Sequence, residues 1–275
     1  MKKWVVTGAH GFIGQALTRS LNKQGIEVIP WSLSKAEAAP TLDGNVLIHL
    51  SAKSGVQASW ENPQATFDAN VGGTEKALDV ARHFKCFFVN INTCAYDDNS
   101  PLPTPETAPM KAFHPYAESK IAAEKKVLDA VTAKEIEGVS LRLFNVYGQG
   151  QPKEFLIPRL LTQIKDPKVR EIHLRNTTGT RDFIYLDDVI SAIQIVAHQR
   201  IGGVVNVGTG IETPVAEIIK IAQKIGKTEK SVISPETFER NEIRRSQADI
   251  RKLTQLGWRP QVDLEDGLRR IWNSL

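Results

Sequence analysis

Short apolar runs alternate with longer stretches in which apolar residues recur every three or four positions. Residues 4–6, 28–29, 46–50, 86–91 and 139–146 read as buried strands. Between the first two lies 12–22, with Phe12, Ile13, Ala16, Leu17 and Leu21 at helical spacing and Gly25 just past its end. Residues 70–84 and 116–132 read as helices on the same grounds. Strands separated by helices predict an α/β class chain, with a parallel sheet covered on both faces. About fourteen residues separate Trp31 from Asn45, and a full βαβ crossover takes at least ~10–12 including its helix, so any extra strand there is trimmed or absent. After Gly148 the pattern loosens. Residues 154–165, 187–197 and 214–225 read as helices, the last with Pro214 in its first turn, and 182–186 and 204–207 as extended. Residues 251–275 are helical around a Gly257-Trp258-Arg259-Pro260 turn, with Trp258 expected in the core. Pro101, Pro103, Pro105 and Pro109 mark one exposed loop near the site.

Composition narrows the class. The chain has 275 residues, 41% hydrophobic and 24% charged, which excludes a disordered, collagen-like or coiled-coil protein. Two cysteines, Cys86 and Cys94, are too few for a disulfide framework or a Cys-based zinc site, and the six histidines show no metal-ligand spacing. The net charge of +4 is spread along the chain, so no nucleic-acid partner is demanded. No apolar run approaches the ~20 residues of a membrane helix. Thr7-Gly8 interrupts the N-terminal apolar start before it reaches the ~7–15 residues of a signal-peptide core. A soluble, cytoplasmic protein without membrane contact is the expectation.

Thr7-Gly8-Ala9-His10-Gly11-Phe12-Ile13-Gly14 follows the first predicted strand and opens the first predicted helix. Gly8 suits a tight turn, Gly11 lets backbone approach a pyrophosphate, and Gly14 lets the helix pack closely on the strand. Helix N-terminal N–H groups and the dipole then hold phosphate oxygens. The strand–turn–helix context separates this pattern from an ordinary glycine turn. It points to dinucleotide binding by Gly8, His10, Gly11, Phe12, Ile13 and Gly14. At the end of the second strand, Ser32 stands where an Asp would bind the adenosine ribose, and Lys35 lies nearby. No carboxylate repels a 2′-phosphate there, so the cofactor is NAD or NADP.

Tyr116 and Lys120 are four apart on a predicted helix, on one face. A free phenol has a pKa of about 10 and is a poor base at neutral pH. An adjacent ammonium and a nicotinium ring both favour the phenolate. Tyr116 then takes a proton from a sugar hydroxyl as hydride leaves the carbon, while Lys120 also reaches the nicotinamide ribose.

These residues resemble the extended short-chain dehydrogenase/reductase family, the nucleotide-sugar epimerases, dehydratases and reductases. The likeness continues through Ile48-His49-Leu50-Ser51-Ala52, Asn70-Val71-Gly72-Gly73-Thr74, Leu141-Arg142-Leu143-Phe144-Asn145-Val146-Tyr147-Gly148, Arg181-Asp182-Phe183-Ile184-Tyr185-Leu186-Asp187-Asp188-Val189, Asn206-Val207-Gly208-Thr209-Gly210 and Leu256-Gly257-Trp258-Arg259-Pro260. It implies a Rossmann-type doubly wound parallel sheet over 1–147, to which 182–207 returns. A smaller C-terminal α/β domain, 148–181 and 208–275, would bind a nucleotide sugar. It adds Leu50, Ser51, Ala52 and Asn70 to the cofactor site, and assigns Asn145, Arg181 and Arg244 to the substrate diphosphate. The family places a Ser or Thr hydroxyl on the sugar oxygen. Here Asn92 aligns with that position and Thr93 follows it; the reading takes Thr93, with Asn92 as the alternative. Dehydratases of the family carry an Asp-Glu pair next, where this chain has Cys94 and Ala95.

The implied activity is 4-epimerisation of a UDP-glucose/galactose-type nucleotide sugar through a transient 4-keto sugar. The alternatives are an NADPH-dependent reductase of a 4-keto-6-deoxy nucleotide sugar, suggested by Ala52-Lys53-Ser54-Gly55-Val56 before Ser59-Trp60, and a catalytically silent dinucleotide-binding module. The resemblance also implies a homodimer built on helices 70–84 and 116–132. His49 is expected to be a packed core histidine, Cys94 a filler, and His114 a candidate wall of the sugar pocket.

Overall fold

The computed structural model describes residues 3–33, 40, 45–175, 177–235 and 243–275. The first part of the chain runs β1 (Lys3–Thr7), α1 (Phe12–Lys23), β2 (Glu27–Trp31), β3 (Val46–His49), α2 (Val56–Glu61), α3 (Pro63–Phe67), a π-helical turn (Asp68–Gly72), α4 (Gly73–Phe84), β4 (Phe87–Thr93), α5 (Pro115–Thr132) and β5 (Glu137–Leu143). There follow β6 (Asn145–Tyr147), α6 (Leu156–Lys165), β7 (Glu171–His173), β8 (Thr180–Arg181), β9 (Phe183–Tyr185), α7 (Leu186–Gln199), β10 (Gly203–Val207), β11 (Thr213–Pro214), α8 (Val215–Gly226), β12 (Ser231–Ile233), α9 (Arg251–Gln255) and α10 (Leu264–Ser274).

The main sheet has six parallel strands in the order β10-β5-β4-β3-β1-β2. Its apolar runs are continuous because both faces are covered. Side chains alternate across it: Val6, Ile48, Val89 and Leu141 face the side with Leu17, Val189 and Ile193, while Val5, Leu47 and Phe88 face the side with Leu78, Ala81 and Val127. The order reverses between β1 and β3, and such a switch point opens a crevice at the carboxyl ends of the strands. A separate core joins α6, α8 and α10, with Tyr147, Leu160, Leu161, Ile218 and Leu268 buried together.

The structure revises several element boundaries. Residues 139–146 are not one strand. The chain changes partners at Phe144, whose N–H donates to Val207 O at 2.9 Å, and at Asn145, whose N–H donates to Asp182 O at 2.9 Å. β6 then pairs with β9 in a small sheet of its own. The helix expected from Asn70 begins at Gly73, with Asn70 in the π turn before it. Pro214 caps α8 instead of opening its first turn. The fourth strand runs on to Thr93. Among the described residues, the sheet carries no strand outside β2; most of the interval that was expected to hold a trimmed one, including Lys35, lies outside the described residues.

Two buried aspartates tie distant segments together. Asp182 accepts from Thr209 N and Oγ1 at 2.7 Å, Gly210 N at 2.9 Å and Ala248 N at 3.0 Å. Asp188 accepts from Gln261 N at 2.9 Å and Val262 N at 3.0 Å. Trp258 is buried, as expected, and its indole donates to Ser191 Oγ at 2.8 Å. The proline loop is less exposed than its composition suggests. Thr104 at its middle is buried; its N–H donates to Gln247 O and its carbonyl accepts from Asn206 Nδ2.

The turn after β1 has no room for side chains. A Cβ on Gly14 would lie 2.2 Å from Gly8 O and 2.7 Å from Ala9 Cα, and one on Gly8, at φ +68°, would lie 2.8 Å from Ser51 N. All of these neighbours are backbone and cannot swing aside. Gly14→Ala is therefore expected to cost at least about 1–3 kcal/mol, read as a lowered denaturation midpoint with an unchanged slope.

Candidate active site

The phosphate loop closes on itself through Gly11 N donating to Gly8 O at 3.0 Å. Gly11 caps α1 without a side-chain hydrogen bond, which leaves the helix's first N–H groups for a ligand. Above it lies a cleft of about 760 Å³ lined by Gly8, His10, Gly11, Trp31, Ser32 and Ser51. A tight glycine turn, a helix N-terminus and this volume at the switch point fit a dinucleotide. Phe12 and Ile13 pack against the core and do not line the cleft. Leu50 and Ala52 do not line the cleft; Leu50 packs against the core and donates its N–H to Thr7 O at 3.2 Å.

Asn70 also departs from its expected place. It is buried, its Oδ1 accepts from Lys53 N at 2.7 Å, and its Nδ2 donates to Ser119 Oγ at 2.8 Å and Lys53 O at 3.2 Å. Its amide is spent clamping the segment after β3 to α5, so it supports the cofactor cleft without lining it. His49 is the core histidine expected: Thr7 Oγ1 and Thr74 Oγ1 lie 2.8 and 3.1 Å from its ring nitrogens, and burial lowers its pKa to about 3.

A second cleft, of about 870 Å³, holds the candidate chemistry. Thr93, Cys94, His114, Tyr116, Asn145 and Arg181 line it. Pro115 opens α5, and His114 caps it by accepting from Ala117 N at 3.0 Å, which fixes Tyr116 in the first turn. The His114 and Tyr116 rings stack at 5.9 Å. Burial pushes the Tyr116 phenol up to about 12; the nearby Cys94 adds to this, and a hydrogen bond from the Thr93 hydroxyl opposes it. The raised phenol departs from the lowering expected of the ammonium four residues on. Lys120 is buried and its ammonium donates to Ile91 O at 2.7 Å, while burial pushes it down to about 8 against the pull of Glu124. Desolvation is the largest cause at both groups. Burial likewise holds the Cys94 thiol up to about 12, so it is no thiolate at neutral pH.

Thr93 and Asn92 are adjacent on β4 and so point to opposite faces. Thr93 reaches the cleft and Tyr116. Asn92 is 3% exposed, in register with Arg142, and lines no part of the cleft. The hydroxyl is thus beside the phenol, and the asparagine alternative is not.

Asn145 and Arg181 also line an annex of about 230 Å³, together with Arg159 and Arg175. Arg175 belongs to both spaces, and the sequence reading missed it. Its signal was slight: it follows His173-Leu174 just past β7, with no glycine or spacing rule to mark it. Trp60, 53% exposed on α2, is a further wall residue not singled out from sequence. Arg244 turns away. Its backbone N–H donates to Asp98 Oδ1 at 2.8 Å, its guanidinium lies 3.8 Å from Asp98, and its side chain is 70% exposed. Arg245 pairs with Glu212 at 2.6 Å instead of meeting the annex. Among the described residues no cluster of His, Cys, Asp and Glu could hold a metal ion, and no helix is long and apolar enough to cross a membrane.

The chain is 33% identical to a protein of Methanocaldococcus jannaschii described provisionally as a UDP-glucose 4-epimerase, over 84% of this chain and 77% of that relative. It is 29% identical to the GDP-6-deoxy-D-mannose reductase of Pseudomonas aeruginosa, over 98% and 96%. The UDP-N-acetylglucosamine 4-epimerase of Methanobrevibacter ruminantium shares the fold at a TM-score of 0.90 and 22% identity, covering 99% of this chain and 98% of its own. The model of the NAD dependent epimerase/dehydratase family matches residues 4–208. With the glycine turn at the switch point, and Tyr116 lining the second cleft with Lys120 four residues on along the same helix, the chain belongs to that NAD-dependent epimerase/dehydratase family, within the extended short-chain dehydrogenase/reductases.

Proposed function

We propose that the chain is a nucleotide-sugar 4-epimerase. The observation that carries this reading is the meeting of Tyr116, Thr93 and two arginines, Arg175 and Arg181, in one cleft. Arg175 and Arg181 match a diphosphate: guanidinium forks make charge-assisted bonds to phosphate oxygens. Asn145 orients the same end. The sugar ring then lies between Thr93 and Tyr116. Tyr116 takes the proton of the C4 hydroxyl and later returns it, while the Thr93 hydroxyl holds the sugar oxygen. A bound nicotinamide would supply the acceptor and donor for the C4 hydride. Cys94 and Ala95 follow Thr93, so elimination of water lacks its acid and base. The second reading, a 4-keto sugar reductase, is favoured by Ser32 at the end of β2 in place of a ribose-binding carboxylate.

The test offers UDP-, GDP- and dTDP-sugars with and without reduced dinucleotide. Interconversion of C4 epimers without net cofactor consumption is the expected result. One NADPH consumed per keto sugar would replace it by the reductase reading. Binding without turnover of any nucleotide sugar would leave a silent dinucleotide module. For a substrate that turns over, Arg175→Met and Arg181→Met are each expected to raise KM about tenfold with kcat nearly unchanged, the signature of lost uniform binding.

A further inference from the structure

The dinucleotide cleft carries a charge that neither pyrophosphate nor hydride chemistry requires. From the last residue of β2 onward it is lined by Trp31, Ser32 and Leu33 and, from α4, by Lys76. The first turn of α4 lies directly on this end: a Cβ built on Gly73 would sit 3.5 Å from Leu33 Cδ1. Lys76 is three residues on, on the same helical face. Thr74 anchors that turn, donating to Asn70 O at 2.7 Å and lying 3.1 Å from His49 Nε2. Lys76 itself is exposed, and among the described residues it forms no ion pair. The one carboxylate lining this cleft among the described residues, Asp68, already accepts from Gln64 Nε2 at 2.7 Å.

A pyrophosphate seated on Gly8–Gly11 puts the adenosine ribose at the end of β2. A phosphate monoester on the ribose 2′-oxygen carries roughly −1.5 to −2 charges at neutral pH. An aspartate in the place of Ser32 would repel it; the serine does not. An ammonium on a four-carbon stem suits such a group as a point charge. We propose that this cleft selects the 2′-phosphorylated dinucleotide, NADP, over NAD, and that Lys76 is the residue that reads the phosphate. The proposal rests on the dinucleotide cleft and not on the epimerase reading.

The test titrates the full chain with NADPH and NADH, and with adenosine 2′,5′-bisphosphate and 5′-AMP as probes of the adenosine half alone. NADPH is expected to bind about tenfold more tightly than NADH, the scale of one charge-assisted hydrogen bond. Lys76→Met should weaken NADPH about tenfold and leave NADH within about twofold, while Lys76→Arg keeps the preference. The bisphosphate should outbind 5′-AMP only when a cation occupies position 76, and its advantage should shrink with added salt. Equal or tighter binding of NADH by the native chain would overturn the proposal. So would a Lys76→Met chain that weakens both dinucleotides by the same factor, which would make the lysine a contact to the shared adenosine. Binding of neither dinucleotide would remove the cleft itself, and the proposal with it; failure of every sugar substrate would leave it standing.

Discussion

Tyr116→Phe is expected to lower kcat about 10²–10⁴-fold, the usual contribution of a positioned general acid–base. Dinucleotide affinity and the thermal midpoint should barely move. The substitution removes one oxygen from a ring held by the His114 cap and by stacking on His114, so the helix keeps its geometry. Among the described residues lining the cleft, the phenol is the group that Thr93 hydrogen-bonds and the one proposed to exchange a proton with a sugar hydroxyl. Its raised pKa makes it a proton donor in the resting chain. It would become a base only where positive charge is added beside it, which a bound oxidised nicotinamide would supply. Thr93→Val should give a smaller loss, since the hydroxyl steadies the proton without carrying it. Steady-state kinetics with fluorescence titration of the cofactor separate these effects. A Tyr116→Phe enzyme with near-native kcat would remove the phenol from the chemistry.

The largest stability effect should come from Glu124→Ala. Glu124 lies one turn beyond Lys120 and forms a fork with Arg142, with Nη2–Oε2 at 2.7 Å and Nε–Oε2 at 3.0 Å. Both side chains are below a tenth exposed, and Ser140 Oγ also donates to Glu124 at 2.6 Å. Arg142 continues the network to Tyr96 OH at 3.0 Å and Glu106 O at 2.9 Å. Removing one member strands a buried cation, which typically costs about 3–5 kcal/mol. Glu124→Met with Arg142→Met should recover much of that, because neither charge is then left alone. Chemical denaturation of the two variants checks this. A loss below about 1 kcal/mol in Glu124→Ala would mean that water reaches the pair.

The α/β alternation and the glycine turn were legible because each rests on local periodicity and on one short motif. The glycine contacts at 2.2–2.8 Å give the physical reason for those residue types. Tyr116 and Lys120 were legible for the same reason, four residues apart on one helix. What escaped depends on long-range packing. Asn70 sits within the expected motif, but its amide is used by Lys53 and Ser119, the latter 49 positions away. Arg244 has the charge for a diphosphate, yet Asp98 holds it outside. Arg175 reaches the cleft only because β7 pairs with β12, a contact no local pattern announces. The burial that raises the phenol's pKa was not legible because spacing shows which charges are near and says nothing of how much water is excluded.

The outermost strand of the main sheet arrives late. β10 closes on β5 across some sixty intervening positions, and Asn206 within it is held by Thr104, 102 positions before it, and by Asp249, 43 positions after it. A ribosome delivering this polypeptide from its N-terminus therefore presents a nascent sheet whose β5 margin stays bare until residue 207 emerges. Unpaired strand margins invite pairing with other chains. Synthesis halted near residue 147 should accordingly yield a sticky fragment that chaperones must hold, even though every group of the phosphate turn has already been made.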